Sequence, residues 1–162
     1  MKKYEIGQNR FVVIKNHKDS PTVSLVENGT TKSAEFPFAR WECLTRVYVP
    51  LIEEAVKQLE AGLDVSYRQH IGGKWYVSVT KGYACVDFRE FYWHPLIGEK
   101  PTKRGIALRL YEWKKLVEIL SEIQKQNPAL GKTPTCWDLL DHNDPEVMKN
   151  CAECNPFQFE TG

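Results

Sequence analysis

Hydrophobic and polar positions alternate in two rhythms along this chain, and the same order of rhythms is written twice. Arg10-Phe-Val-Val-Ile-Lys15 is a short run of β-branched and aromatic residues. Thr22-Val-Ser-Leu-Val26 is another, with the turn signal Asn28-Gly29 directly after it. The rhythm then changes. Trp41, Leu44, Tyr48, Leu51, Ile52, Ala55 and Leu59 recur at spacings of three and four, which predicts a helix from about Ala39 to Leu59 with its apolar residues on one face. Gly62 is placed to stop that helix, and Pro50, which has no backbone N–H, predicts a kink or break inside it.

The second passage keeps the order. Trp75-Tyr-Val-Ser-Val79 reads as a strand, Lys81-Gly82 as a tight connection, and Ala84 to about Tyr92 as a second strand. Glu99 to Lys103 reads as a polar loop and Gly105-Ile-Ala-Leu-Arg109 as a third extended run. A helix is expected from near Leu110 to Asn127-Pro128, with Trp113, Leu116, Val117, Leu120 and Ile123 on its apolar face. The matched landmarks are Arg10-Phe11 with Lys74-Trp75 and Trp41 with Trp113. A sheet-plus-helix unit of about 55 residues is near the lower limit for folding alone. Two copies in one chain can cover each other's apolar faces. The expected fold class is therefore α+β: two antiparallel sheets, each followed by one helix, packed as an intrachain pseudo-dimer with the helices against each other and the sheets outside. The expected divisions are 1–62, 63–131 and a tail, 132–162.

Composition adds little until charge is divided along the chain. The net charge is +1, but residues 1–62 carry +1, residues 63–131 carry +4 and residues 132–162 carry −4. An anionic ligand should prefer the middle segment and be repelled by the tail. No apolar run approaches the roughly 18 to 20 residues of a membrane span, and Met1-Lys2-Lys3-Tyr4-Glu5 begins no signal-peptide pattern. A nuclear or cytoplasmic protein is expected, with no membrane partner and with its five cysteines reduced.

Three separated blocks carry a resemblance. They are Trp75-Tyr-Val-Ser-Val79, Val86-Asp-Phe-Arg-Glu-Phe-Tyr-Trp93, and Lys100-Pro-Thr-Lys-Arg-Gly-Ile-Ala-Leu-Arg-Leu-Tyr-Glu-Trp113. In order and spacing they resemble the C-terminal domain of the transcriptional coactivator family called positive cofactor four, over roughly residues 70–126. Residues 5–60 look like a degenerate second copy. The resemblance implies a four-stranded antiparallel sheet plus helix, dimeric packing, and sheets that bind single-stranded or melted DNA with little sequence preference. It also implies partners in the transcription machinery. Here one chain would supply both halves, so a monomer is expected.

The resemblance places phosphate and stacking contacts on Arg89 and on the aromatic three residues later, Tyr92, or on Trp93 if a bulge intervenes. Single strands are held by cations along the backbone and by aromatic faces under the bases, and these residue types fit. Ideal strand alternation, however, puts Arg89, Phe91 and Trp93 on one face and Phe88, Glu90 and Tyr92 on the other. Phe88 and Phe91 read better as core. Lys100, Lys103 and Arg104 form a basic cluster beside Gly105, and Lys81 and Lys74 are further candidates. The hairpin Val79-Thr80-Lys81-Gly82-Tyr83 is shorter than the family's and lacks its Phe; either Tyr83 replaces that platform or the platform is lost. The first copy lacks the Arg-Glu-aromatic and Lys-Pro-basic blocks, and Lys15 and His17 stand where the family's loop base and aromatic would be. It is expected to serve as packing partner.

The tail lies outside the resemblance. Thr135-Cys-Trp-Asp-Leu-Leu140 reads as a short helical turn and Asp144-Pro145-Glu146 as another helix start. Cys136, His142, Cys151 and Cys154 form a candidate Cys3His zinc set, strongest at the Cys151-x-x-Cys154 pair. The alternative is a tail of reduced cysteines docking through Trp137, Leu139 and Phe157. Either way, its acidic charge could lie over the basic face and compete with DNA.

No nucleophile-base pairing, P-loop or dinucleotide fingerprint is visible, so no enzyme is expected. The function expected is a single-stranded-DNA-binding, coactivator-like protein using the second copy. The rival is a protein-interaction or architectural module that kept the fold and lost nucleic-acid binding.

Overall fold

The computed structural model describes residues 1–16 and 19–160; His17 lies outside them. Strands β1 (Lys2–Gly7), β2 (Arg10–Lys15), β3 (Thr22–Glu27) and β4 (Ser33–Pro37) form one antiparallel sheet in that order. Strands β5 (Ser66–Gly72), β6 (Trp75–Thr80), β7 (Cys85–His94) and β8 (Gly98–Arg109) form a second, also in sequence order. A helical segment follows each sheet: α1 (Phe38–Cys43), a π-helical stretch Leu44–Tyr48 and α2 (Val49–Glu60) after the first, and α3 (Leu110–Gln126) after the second. Three short helices, α4 (Ala129–Lys132), α5 (Cys136–Leu139) and α6 (Pro145–Lys149), complete the chain.

The expected repeat is there, and its details are shared. In each sheet the first hairpin shifts register just before its turn, at Glu5/Gly7 in β1 and at His70/Gly72 in β5. Gly7 then pairs with Arg10 and Gly72 with Trp75. Arg10 therefore matches Trp75, one residue on from the landmark expected from sequence. Trp41 and Trp113 do correspond: each stands at the fourth position of its helix and both are buried.

Alternation explains the core. Val12 and Ile14, Val23 and Leu25, Val77 and Val79, Val86 and Phe88, and Ile106 and Leu108 point inward from their strands. With Trp41, Leu44, Ile52, Val56, Trp113, Leu116 and Ile123 they make one hydrophobic cluster. Phe36 of β4 meets Phe88 of β7 edge-on at 6.0 Å, so the two sheets share this core. The helices do not take the expected arrangement. Each packs across onto the other repeat's sheet, α2 on β6 and α3 on β1, while α3 also covers β7 and β8. This exchange lets each sheet bury a face that its own helix covers only in part. At their ends the two helices meet through Lys114 and Glu60, 2.5 Å apart.

Pro50 does what its chemistry requires. It stands in the first turn of α2, directly after the π-helical stretch. Its missing N–H and its ring disrupt the i→i−4 ladder just before it, and the wider turn absorbs the mismatch. Gly62, at φ +75°, ends the helix: the Leu63 N–H donates to the Gln58 carbonyl (3.0 Å) and the Gly62 N–H to the Leu59 carbonyl (3.1 Å).

The polar loop expected over Glu99–Lys103 is strand. These residues belong to β8, which runs unbroken from Gly98 to Arg109. No helix among the described residues is long and apolar enough to cross a membrane.

Candidate nucleic-acid interface

The hairpin of β7 and β8 holds most of the candidate contacts. Tyr92 pairs with Lys100, and Arg89 pairs with Gly105. Between these points the register shifts, so that Arg89 to Phe91 on β7 faces the longer stretch from Gly105 to Pro101 on β8. Lys103 and Arg104 stand in that bulge and are exposed, as are Lys100 and Tyr92. Thr102 pins it: its hydroxyl donates to the Glu90 carbonyl (2.8 Å) and accepts from the Arg104 N–H (3.1 Å). Gly105 permits the close strand approach, because a Cβ there would run into the Phe88 carbonyl and the Arg89 Cα.

Arg89 is engaged within the protein. It donates to both carboxylate oxygens of Asp87 (2.9 and 3.2 Å) and to the Thr102 carbonyl (3.3 Å). Alternation holds through β7. Arg89 shares a face with its partner Tyr76 and with Phe91, whereas Tyr92 shares the opposite face with Lys100. The bulge lies on β8 and does not bring Arg89 and Tyr92 together. Arg104 reaches Glu90 at 3.4 Å. With Lys103, Glu90 and Trp75 it lines a cleft of about 530 Å³ whose other wall is Thr31, Ser33 and Glu35 of the first repeat. Trp75 and this first-repeat wall were not among the sequence candidates; only the packing of the repeats creates them.

The opposite face carries a second group, of which the sequence left Tyr76 and Arg68 unassigned. Tyr76 and Phe91 are buried with ring centroids 4.6 Å apart, and the Arg68 guanidinium stacks over both at 5.0 Å while pairing with Glu99 at 2.5 Å. Burial, and then a hydrogen bond to Glu99, push the Tyr76 phenol well above the ordinary tyrosine range. Phe91 is thus buried, as expected, but beneath the tail and apart from the main core. Trp93 belongs to this group and packs on Phe157 at 5.8 Å. Lys74 stands beside it, its backbone carbonyl accepting from the Phe91 N–H (2.7 Å) and its ammonium 5.7 Å from the Phe157 ring. Lys81 and Tyr83 are exposed in the turn between β6 and β7, at the end of β7 away from Tyr92. At about 3.3 Å per residue that is some 25 Å along the strand.

The tail docks at the β5–β6 end, where the repeat symmetry makes sense of its contacts. In the first sheet, Gly7 leaves room for Glu112, the third residue of α3, beside Arg10. The equivalent place in the second sheet holds Arg40, the third residue of α1. A Cβ on Gly72 or Gly73 would collide with Arg40 or with Glu153. The charge at this helix position is reversed, and the tail supplies the counter-charge: Arg40 donates to both Glu153 oxygens, at 2.6 and 3.0 Å.

The predicted short helices are present. Thr135 precedes α5, with Asp138 accepting from the Thr135 N–H (2.8 Å), and the Asp144 carboxylate caps α6 by accepting from the Glu146 N–H (3.0 Å). The Cys136, Cys151 and Cys154 sulfurs and a His142 ring nitrogen all lie within 4.8 Å of one another, a group that could hold a metal ion. Burial pushes the Cys136 thiol up to about 11, and burial with the neighbouring sulfurs raises Cys154 as well. Burial also opposes ionisation of Cys151, but the Cys154 backbone N–H and His142 outweigh it and leave that thiol below its ordinary range.

Residues 71–119 match the model of the family described as Transcriptional Coactivator p15 (PC4). The match runs from Ile71 in β5 to Ile119 in α3 and so falls within the second repeat. No curated protein and no solved structure matches the chain.

Proposed function

We propose that this chain binds single-stranded or locally melted DNA through the β7–β8 hairpin of its second repeat, as a coactivator-like protein acting in the nucleus. The first repeat serves as packing partner, and one chain forms the working unit. The observation that carries this is the register of the hairpin. It sets the exposed Tyr92 directly opposite Lys100 and leaves Lys103 and Arg104 exposed in the adjoining bulge. Three cations beside one accessible ring suit a strand whose phosphates run along the hairpin and whose base stacks on the ring. Arg89 holds the bulge in shape through Asp87 and Thr102, with part of its charge already neutralised. The tail has its own cofactor in the same account. Three cysteine sulfurs and one imidazole suit zinc better than a harder cation such as magnesium or calcium.

The internal pairing of Arg89, and of Arg104 with Glu90, favours the rival function, a protein-interaction module without nucleic-acid binding. Competition binding separates the two. A labelled 20-nucleotide single strand should be displaced by unlabelled single strand and far less by duplex of the same sequence. Negligible binding to either at low salt would leave the interaction module as the better account.

A further inference from the structure

The tail has no core of its own. Its helices span four or five residues, and among the described residues from Lys132 to Glu160 the buried ones are Thr135, His142, Cys151 and Phe157. So small a segment needs a cross-link or a metal to hold one shape. The His142 ring is oriented for the second. Its Nδ1 lies 3.3 Å from the Leu140 carbonyl, and its buried Nε2 has no hydrogen-bond partner among the described residues. A histidine fixed through one nitrogen by a backbone carbonyl presents the other as a metal ligand.

Each grip of the tail on the body lies within three residues of one of these ligands. Glu153, between Cys151 and Cys154, pairs with Arg40 of the first repeat, and its carbonyl accepts from the Gly73 N–H of the second (2.9 Å). Asp138, two residues after Cys136, pairs with Arg46 at 3.1 Å. Phe157, three residues after Cys154, covers Trp93.

We propose that zinc held by Cys136, His142, Cys151 and Cys154 is the staple that seats the tail across both repeats, and that the seated tail is a cap, with Phe157 occupying the face of Trp93 on which a nucleobase would stack. The inference rests on the zinc and single-strand assignments above. Zinc binding becomes folding free energy for the tail, because the ligands come together only in the seated form. Seated, the tail withholds one stacking platform and sets Glu153 beside the second sheet at Gly72 and Gly73. Released, it exposes Trp93, Tyr76 and Phe91 next to the basic hairpin.

The full-length chain tests this through three readouts: zinc content by mass spectrometry, hydrogen exchange of the peptide containing Gly73, and anisotropy with a labelled oligothymidine. The expected wild type holds one zinc per chain and protects the Gly73 amide. Chelation under reducing conditions, or Cys151→Ser with Cys154→Ser, should release that amide. Phe157→Ala should keep its zinc and bind the oligonucleotide about threefold or more tighter, and adding Trp93→Ala should abolish the gain. A wild type without zinc overturns the metal assignment, and so does a disulfide between Cys136 and Cys154, whose sulfurs lie 3.7 Å apart. Zinc present but Gly73 exchange unchanged on its removal overturns the staple. A zinc-bound Phe157→Ala protein that binds no tighter than a binding wild type overturns the cap. No oligonucleotide binding by any form defeats the single-strand assignment and the cap with it, while zinc content and Gly73 exchange still decide the staple.

Discussion

Arg10 of the first repeat and Glu112 of the second lie 3.3 Å apart, both buried, and tie the two halves of the chain together. Arg10 also donates to the Ala107 carbonyl at 2.5 Å and pairs with Glu27, while Glu112 accepts from the Arg109 N–H at 2.8 Å. Removing Arg10 leaves the buried Glu112 carboxylate with only the exposed Arg109 guanidinium, 3.6 Å away, as counter-charge. Arg10→Ala should cost about 3–5 kcal/mol, read from the denaturant midpoint. Arg10→Met combined with Glu112→Gln should cost less than Arg10→Met alone, because no ion is then left unpaired.

Gly105 is the next sensitive position. Its would-be Cβ meets backbone of β7 and not a movable side-chain tip, so Gly105→Ala must push the strands apart. A loss of about 1–3 kcal/mol is expected. The Gly82→Ala substitution has open space around it but suffers its own left-handed backbone at φ +96°. It should therefore destabilise without moving the hairpin amide shifts around Arg89, which Gly105→Ala should move.

These positions show where the sequence was legible. Strands β2, β3, β6 and β7 and both main helices stand out, because interior strands and amphipathic helices bury enough side chains to impose a period. The strands missed or misread are β1, β4, β5 and β8, and each is a sheet edge. Edge strands such as Ser66–Gly72 are largely polar, and Lys100-Pro-Thr-Lys-Arg104 is broken by a proline and a bulge, so composition alone makes them look like loop. Of the candidate site, Tyr92, Lys100, Lys103 and Arg104 were named from the chain. Trp75 and the wall of Thr31, Ser33 and Glu35 were not, since only the packing of one repeat on the other brings them to the groove; Arg68 on the opposite face was missed as well, because it lies on the polar edge strand β5. The cysteine cluster was visible as residue types, but Cys136 to His142 has no standard spacing, and the geometry is what joins them.

Tyr76 should give stability an alkaline limit. Burial first, then its hydrogen bond to Glu99, hold its folded-state ionisation above the ordinary tyrosine value of about 10. The folded state therefore favours the neutral phenol. That stability is full below about pH 10 and is lost as pH rises through the folded value, because the unfolded chain ionises first. Stability measured from pH 8 to 11 should fall more steeply in wild type than in Tyr76→Phe. Equal slopes would contradict the burial of this ring.

Tyr92 and Lys81 should behave differently although both were candidates. Tyr92→Ala should weaken oligonucleotide binding by about 1–3 kcal/mol, and Tyr92→Phe should retain most of it. Lys81→Ala and Tyr83→Ala, at the far end of β7, should change affinity less than twofold. Anisotropy with a short oligonucleotide gives both numbers, and a large loss on Lys81→Ala would move the interface to the other end of the sheet.

The hairpin itself is tested most directly by the salt dependence of single-strand binding in wild type and in Lys103→Ala with Arg104→Ala. Each phosphate contact contributes about 0.7 to the slope of log affinity against log salt. The double variant should bind more weakly at low salt and lose about 1.4 from that slope, with its unfolding midpoint unchanged. An unchanged slope and affinity in the double variant would contradict the assignment of the nucleic-acid site to β7–β8.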